Sequence, residues 1–313
     1  MGISREQLFR SLGVITDGPD LDRWTQDAYE QEAHRVWKED DYFATSFHAS
    51  NYPGQEKSCG RKALYNLMNF PDPEPISAKG YGVMEAGKAI EEQIVERWAK
   101  AGLLLGPEYP EQLRIEHEGL WLTGYIDAVL DLRPEWPYAL PVEIKTKKNT
   151  VIEYMKVGGQ SYDEKHYMQL QAYLCYCIRN HYKMGWDKLD LREAQGGIIY
   201  YVSRDDPRNT HSFYVEADGG IMAEANARLA AWKDFFEQDW LPPRNKEWKW
   251  TEEPCKWCPF KKNVCKPDHL AGIVNLTESH GVEVAKEHSD SYNPEQVQRR
   301  VKEKWIQTQL ELF

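Results

Sequence analysis

Asp127, Glu143 and Lys145 lie within one stretch, TGYIDAVLDLRPEWPYALPVEIKTKK (residues 123–148), whose apolar content otherwise suits two neighbouring strands. In a strand, residues two apart share a face, so Glu143 and Lys145 project together. Val142 and Ile144 project to the opposite side, where they can pack under a helix. By the same rule Tyr125, Asp127 and Val129 share a face. If the two strands are neighbours, Asp127 and Glu143 converge. Two carboxylates brought to one point repel and resist joint ionisation unless a cation sits between them. Oxygen donors in that number suit Mg²⁺ or Mn²⁺. A Glu-x-Lys tripeptide alone also serves as a plain salt bridge on an exposed strand, so the weight rests on its surroundings.

The elements that must position these residues are readable from periodicity. YGVMEAGKAIEEQIVERWAKAG (81–102) is an amphipathic helix, with Ile90, Ile94 and Trp98 four apart and Gly102 ending it. Alternation follows in EQLRIEHEG, LWLTGYIDAVLDL and YALPVEIKTK, which predicts an antiparallel run of strands separated by Gly or Pro turns. EKHYMQLQAYLCYCIRNHYKMG (164–185) returns to helical character, GGIIYYVS and HSFYVEAD are strands, and IMAEANARLAAWKDFFEQDW is a helix broken by Pro242 and Pro243. This order predicts an α/β core with segments added at both ends.

Composition narrows the class. The chain has 313 residues, 41% of them hydrophobic and 12% aromatic, enough for a real core. No run approaches the roughly 18 apolar residues of a membrane helix. The start, MGISREQLFRSLGV, lacks a secretory pattern and misses the myristoylation pattern, so the expected location is cytoplasmic. A net charge of −11 argues against a general polyanion-coating protein but leaves room for a local basic groove. Six cysteines in a chain of this character point to metal or redox chemistry rather than disulfides.

Gly-Tyr-Ile-Asp followed by Val-Glu-Ile-Lys-Thr resembles the signature of PD-(D/E)XK nucleases, in particular their RecB-like branch. That branch adds Gln-x-x-x-Tyr on the next helix, and QLQAY supplies Gln169 and Tyr173, whose i, i+4 spacing sets them on one face. In its iron–sulfur members the upstream helix commonly carries a His four residues after a Gly. Here Gly87 is followed by Glu91, a departure, although a carboxylate is an equally good ligand for a hard ion. Glu91 shares a face with Gly87, Val95 and Trp98 and is preferred, with Glu92 and Glu85 as alternatives.

The resemblance implies a mixed central sheet flanked by helices and metal-dependent hydrolysis of DNA, exonucleolytic on single-stranded or frayed ends. Glu91, Asp127, Glu143 and the backbone carbonyl of Ile144 would hold one or two Mg²⁺ or Mn²⁺ ions. Lys145 would orient water and neutralise charge on the phosphate. Gln169 and Tyr173 would position the scissile strand or brace Lys145. Lysines 147 and 148, with aromatic residues, would line a strand channel.

EPCKWCPFKKNVC holds Cys255, Cys258 and Cys265, and SCGRKALYNLMN holds Cys59 in a Cys-x-Arg-x-x-x-Tyr pattern far upstream. This layout is similar to the CRISPR-associated RecB-like iron–sulfur exonucleases (the fourth-numbered Cas family) and to AddB-type nuclease domains. There four cysteines bind a [4Fe–4S] cluster that staples the ends of the domain. Four thiolates also accept Zn²⁺, and spacing does not separate the metals. Cys175 and Cys177, two apart on a helix, read as buried small apolar residues. The expected division is a helical extension at 1–40, a nuclease domain at 41–270 closed by the cysteines, and a tail at 271–313.

The tail ends in Gln309, Leu310, Glu311, Leu312 and Phe313. The pentapeptide resembles the motif by which bacterial replication proteins dock on the sliding clamp, and it equally suits a tail folded onto its own domain. The clamp reading places the nuclease in bacterial or phage recombination, repair or replication. The alternatives are CRISPR spacer processing and a non-catalytic DNA-binding or clamp-tethered adaptor.

Overall fold

A computed structural model describes residues 27–32, 46–54, 58–67, 77–106, 108, 111–179, 194–237, 251, 255, 256, 258–261 and 265. The chain divides into two compact units, residues 1–41 with 75–84, and residues 42–74 with 85–313. In the first, residues 27–32 are helical, and Tyr29 lies beside Gly82.

The second unit carries the chemistry-bearing residues. Its strands are β1 (Phe47–His48), β2 (Leu113–His117), β3 (Leu122–Ile126), β4 (Ala128–Leu130), β5 (Leu140–Lys147), β6 (Gly196–Ser203) and β7 (Thr210–Glu216). Its helices are α1 (Gly60–Leu67), α2 (Ala78–Lys100, begun in the first unit), α3 (Asn149–Lys156), α4 (Glu164–Arg179) and α5 (Gly219–Glu237). One sheet runs β1-β3-β2, with β3 parallel to β1 and antiparallel to β2. The other runs β4-β5-β6-β7 and is mixed, because β5 pairs parallel with β6 while both outer pairs are antiparallel. A parallel pair needs a long crossover, and α3 with α4 supplies it.

The strand period sorts the four-stranded sheet into two faces. Val142 and Ile144 of β5 and Val202 of β6 pack with Ile94 and Val95 of α2, as the alternation predicts. Trp98 of α2 meets Tyr200 edge-on, with centroids 5.1 Å apart. Ile199 and Tyr201 point the other way, into the core built with Leu170, Tyr173 and Leu174 of α4 and Leu229 of α5. Gln171, fully buried, donates to Glu216 O and accepts from Asp218 N, tying α4 to the β7–α5 turn. Cys175 and Cys177 are buried in the same core. Among the described residues no helix is long and apolar enough to cross a membrane.

Three expectations change. The stretch from Leu122 is not one strand: it bends at Asp127, and β3 and β4 belong to different sheets. The cause is the Asp127 side chain, whose Oδ2 accepts from Ile144 N at 2.7 Å and so takes a β5 backbone donor in place of a ladder carbonyl. Consequently Tyr125 is exposed while Val129 is buried, although both had been assigned to Asp127's face. The run of strands is antiparallel within β2–β3 and β4–β5, but β5 and β6 are parallel. Finally, α3 follows β5 directly, its first backbone donor at Asn149 bonded to Asp205 Oδ2 at 2.8 Å. The helix expected over 164–185 is described to Arg179.

Gly124 sits where β3 passes the turn after β1: a Cβ there would stand 2.6 Å from Ala49 Cβ and 3.4 Å from Ile115. Gly124→Val therefore overpacks a closed core and should cost about 1–3 kcal/mol. Thermal unfolding measures it, and an unchanged Tm would remove the close approach.

Candidate active site

Glu143 is the central side chain. It is 0% exposed, held on β5 beneath α4. Tyr173 donates its hydroxyl to Glu143 Oε2 at 2.8 Å, and Gln169 Nε2 donates to the Tyr173 oxygen at 2.7 Å. The i, i+4 face of α4 thus ends on Glu143. Gln169 and Tyr173 meet neither Lys145 nor an open strand path, because both are buried; they are positioning residues for the carboxylate. Glu143 Oε1 is in direct contact with the ammonium of Lys145, which is both its donor and its counter-charge.

Lys145 gathers the remaining groups. Its Nζ donates to Ile144 O at 3.1 Å and stands 3.7 Å from Asp127 Oδ2. The ammonium therefore touches three of the four groups that the sequence nominated as cation ligands: Glu143, Asp127 and the Ile144 carbonyl. The fourth, Glu91 on α2, accepts from Gln112 Nε2 at 2.7 Å and lies in the fields of Asp127 and Lys145. Gly87, one turn earlier, lets α2 settle against Thr146 of β5. Glu85 is exposed, and Glu92 is half-buried and acts on Glu91 through its charge.

The electrostatics follow from burial. Burial and then Asp127 push Glu143 up to about 8. Burial and then Asp127 do the same to Glu91, also to about 8. For Lys145 burial works against the charge, but Glu143 and Asp127 more than offset it and hold the ammonium above its usual range. Three acids face one lysine, so the donor set is short of positive charge and consists of hard oxygens. Both properties fit a divalent cation. Among the described residues no three His, Cys, Asp or Glu side chains converge tightly enough to grip a metal ion as they stand.

Residues outside the sequence expectation complete the surround. His166 Nδ1 lies 2.9 Å from the Tyr201 hydroxyl, and that oxygen accepts from Asp163 N at 3.0 Å. Lys147 pairs with Asp163 at 3.0 Å. Burial, then Lys145 and Lys147, lower His166 to about 3, so it is neutral. His48 is lowered by burial as well and feels Asp127 and Lys145. His166 had a visible signal, three residues before Gln169 on the same helix face. His48 had none, because it comes from another sheet.

The cysteine segment forms a second cluster. Tyr65 of α1 and Phe260 meet with centroids 5.2 Å apart, and Tyr65, Phe260 and Cys265 are buried together with Cys258 against them. Cys258 N donates to Cys255 O at 3.3 Å, and Cys265 N donates to Phe260 O at 2.8 Å. Burial raises Cys59, Cys258 and Cys265, the last to about 11 with Arg61 opposing. Cys59, Cys255, Cys258 and Cys265 lie in one another's fields, and none is in a disulfide. Gln309, Leu310, Leu312 and Phe313 lie outside the described residues.

A family model for the PD-(D/E)XK nuclease superfamily matches residues 18–266. No curated protein matches the sequence. Among solved structures, the alkaline exonuclease LHK-Exo from Laribacter hongkongensis is 13% identical with a TM-score of 0.39, over 64% of this chain and 93% of that one. LHK-Exo in complex with dAMP is 14% identical with the same score and coverage. The protein SSO0001 is 15% identical with a TM-score of 0.39, over 78% of this chain and 97% of that one.

The raised carboxylates set a pH dependence. With Glu91 and Glu143 near 8 folded and about 4.5 unfolded, the folded state binds more protons between those values. Stability should therefore fall as pH rises from 5 to about 8 without divalent ions, and Glu91→Gln should flatten the slope. Melting curves across that window test it; a Tm that climbs toward pH 8 contradicts the assignment. Tyr173→Phe leaves Glu143 Oε2 without its donor and should cost about 1–3 kcal/mol.

Proposed function

Since the chain belongs to the PD-(D/E)XK nuclease superfamily, we propose that it is a DNA exonuclease that hydrolyses phosphodiester bonds at single-stranded or frayed ends. The observation that carries this reading is Glu143: a carboxylate wholly buried on β5, fixed by Tyr173, with Oε1 turned to Lys145 beside Asp127. A buried acid costs several kcal/mol unless it is paired, and a protein with no use for the charge keeps an apolar residue there.

Glu91, Asp127, Glu143 and the Ile144 carbonyl would hold one or two Mg²⁺ or Mn²⁺ ions. A divalent cation supplies polarisation of the phosphoryl oxygen and acidification of water. Lys145, about a quarter exposed, offers its ammonium to charge growing on the phosphate. Tyr173 and Gln169 hold the Glu143 carboxylate in one rotamer. Neutral His166 and the Lys147–Asp163 pair border the approach for the strand. Lys147 and Lys148 favour a polyanion there despite the acidic total. Recombination, repair or replication in a bacterium or phage is the setting in which such an end-directed activity is needed.

Glu143→Ala or Lys145→Ala should lower Mn²⁺-dependent release of nucleotides from end-labelled DNA at least about 100-fold, with the circular dichroism spectrum retained. Undiminished cleavage by either variant would take that residue out of the mechanism.

For the cysteines we propose a [4Fe–4S] cluster held by Cys59, Cys255, Cys258 and Cys265. Cys59 from one segment and Cys255, Cys258 and Cys265 from another lie in one another's fields beside the Tyr65–Phe260 pair, and thiolates are the donors such a group takes, although among the described residues they do not converge tightly enough to grip a metal as they stand. Protein purified without air should be brown with a broad visible absorbance that Cys258→Ser bleaches. A colourless sample carrying stoichiometric zinc would assign the site to Zn²⁺ instead.

A further inference from the structure

Of the groups assigned to the cation, Glu91 alone stands on a helix. A glutamate side chain has much rotamer freedom to lose, so an acid that must meet ligands from two strands needs something to hold it. Gln112, the residue before β2, does so: its Nε2 donates to Glu91 Oε1 at 2.7 Å. Toward an ionised carboxylate, which only accepts, the amide can present nothing but its NH₂. Among the described residues Glu91 Oε2 has no hydrogen bond, so one oxygen is tied and the other is left for a cation.

Strand register brings the same glutamine to the next acid. β2 pairs antiparallel with β3, Leu113 against Ile126 and Arg114 against Tyr125. One step beyond the last rung, Gln112 stands opposite Asp127. Leu113 and Ile115 are buried on the inner face of β2, and a slip of one residue would turn them out, so the core holds this register. Gln112 thus links α2 to the bend at which β3 gives way to β4. Its side chain meets one acid, and its place in the ladder faces the other. Glu91 and Asp127 lie in each other's fields.

The residue type matters as much as the place. A lysine or arginine at 112 would hold Glu91 equally well but would cancel its charge, and an acid would repel it. The amide orients the carboxylate and leaves its charge intact. Arg114, on the same face of β2, does not supply the missing cation, because it pairs with Glu116 at 3.1 Å.

We propose that Gln112 is a positioning residue for the divalent cation, holding the Glu91 carboxylate in one orientation, its charge intact, beside Asp127. Partners that orient a ligand in this way govern how tightly a metal is held. The assignment rests on the nuclease reading for Glu91 as a ligand and adds to it the residue that holds that ligand.

Metal binding without DNA tests it. Mn²⁺ uptake by the full chain is read from the electron paramagnetic resonance signal of the free ion. Gln112→Leu should weaken binding ~10-fold, with the circular dichroism spectrum retained. In a Glu91→Gln background the same substitution should change binding by less than about twofold, because the glutamine acts through that carboxylate. Gln112→Lys keeps a donor to Glu91, so a plain tie between α2 and β2 would survive it. Its Mn²⁺ affinity should nonetheless fall ~10-fold, because the ammonium neutralises the acid. Binding by Gln112→Leu or Gln112→Lys within about twofold of the unsubstituted chain, or an equal loss in both backgrounds, overturns the proposal. So does an unsubstituted chain that takes up no Mn²⁺. The two readings fail separately. Coupling between Gln112 and Glu91 with no cleavage of DNA in Mg²⁺ or Mn²⁺ removes the nuclease and keeps the positioning role; cleavage without the coupling does the reverse.

Discussion

Burying a carboxylate in the second strand of a four-stranded sheet is the constraint on which the rest of the unit depends. Glu143 has no exposed surface, and the desolvation of such a group costs several kcal/mol unless hydrogen bonds and a counter-charge offset it. The Tyr173 hydroxyl meets one oxygen and Lys145 the other. That requirement fixes the rotation of α4 about its axis, because residue 173 must lie over β5, with residue 169 one turn before it to satisfy the tyrosine. It also fixes the spacing along β5, since the lysine must share the face of the acid.

The opposite face of β5 anchors the arrangement. Val142 and Ile144 are buried against Ile94 and Val95, so the strand that holds the acid and the helix that carries Glu91 share one apolar cluster. Asp127 completes the frame in a different way. By accepting from Ile144 N it breaks the β3–β4 strand and turns the sheet edge, while its carboxylate stays within reach of Lys145. One side chain thus serves as backbone acceptor and as part of the charged cluster.

The helices, strands and acids were legible in the sequence to different depths. GGIIYYVS is β6 from end to end, because alternation and flanking glycines act locally. Neighbour order put Asp127 near Glu143, but the strand period set Asp127 on one face with Tyr125 and Val129, whereas it lies at a bend between β3 and β4. What could not be read was every feature set by a distant partner. The bend at Asp127 depends on a β5 amide, and α3 begins where Asp205 caps it from the β6–β7 connection. The i, i+4 rule placed Gln169 and Tyr173 on one face without saying that the face ends on Glu143.

The Tyr65–Phe260 contact has a consequence for the order of events during synthesis. Its partners are separated by nearly two hundred residues. At about 5–20 residues per second of translation, roughly 10–40 s pass between the emergence of the two rings. Throughout that interval α1 has been made but its cover has not, and the thiol of Cys59 waits alone at the ribosome exit. The contact between the two rings, and any joint environment for Cys59, Cys255, Cys258 and Cys265, can therefore form only after residue 265 has been made, late in synthesis.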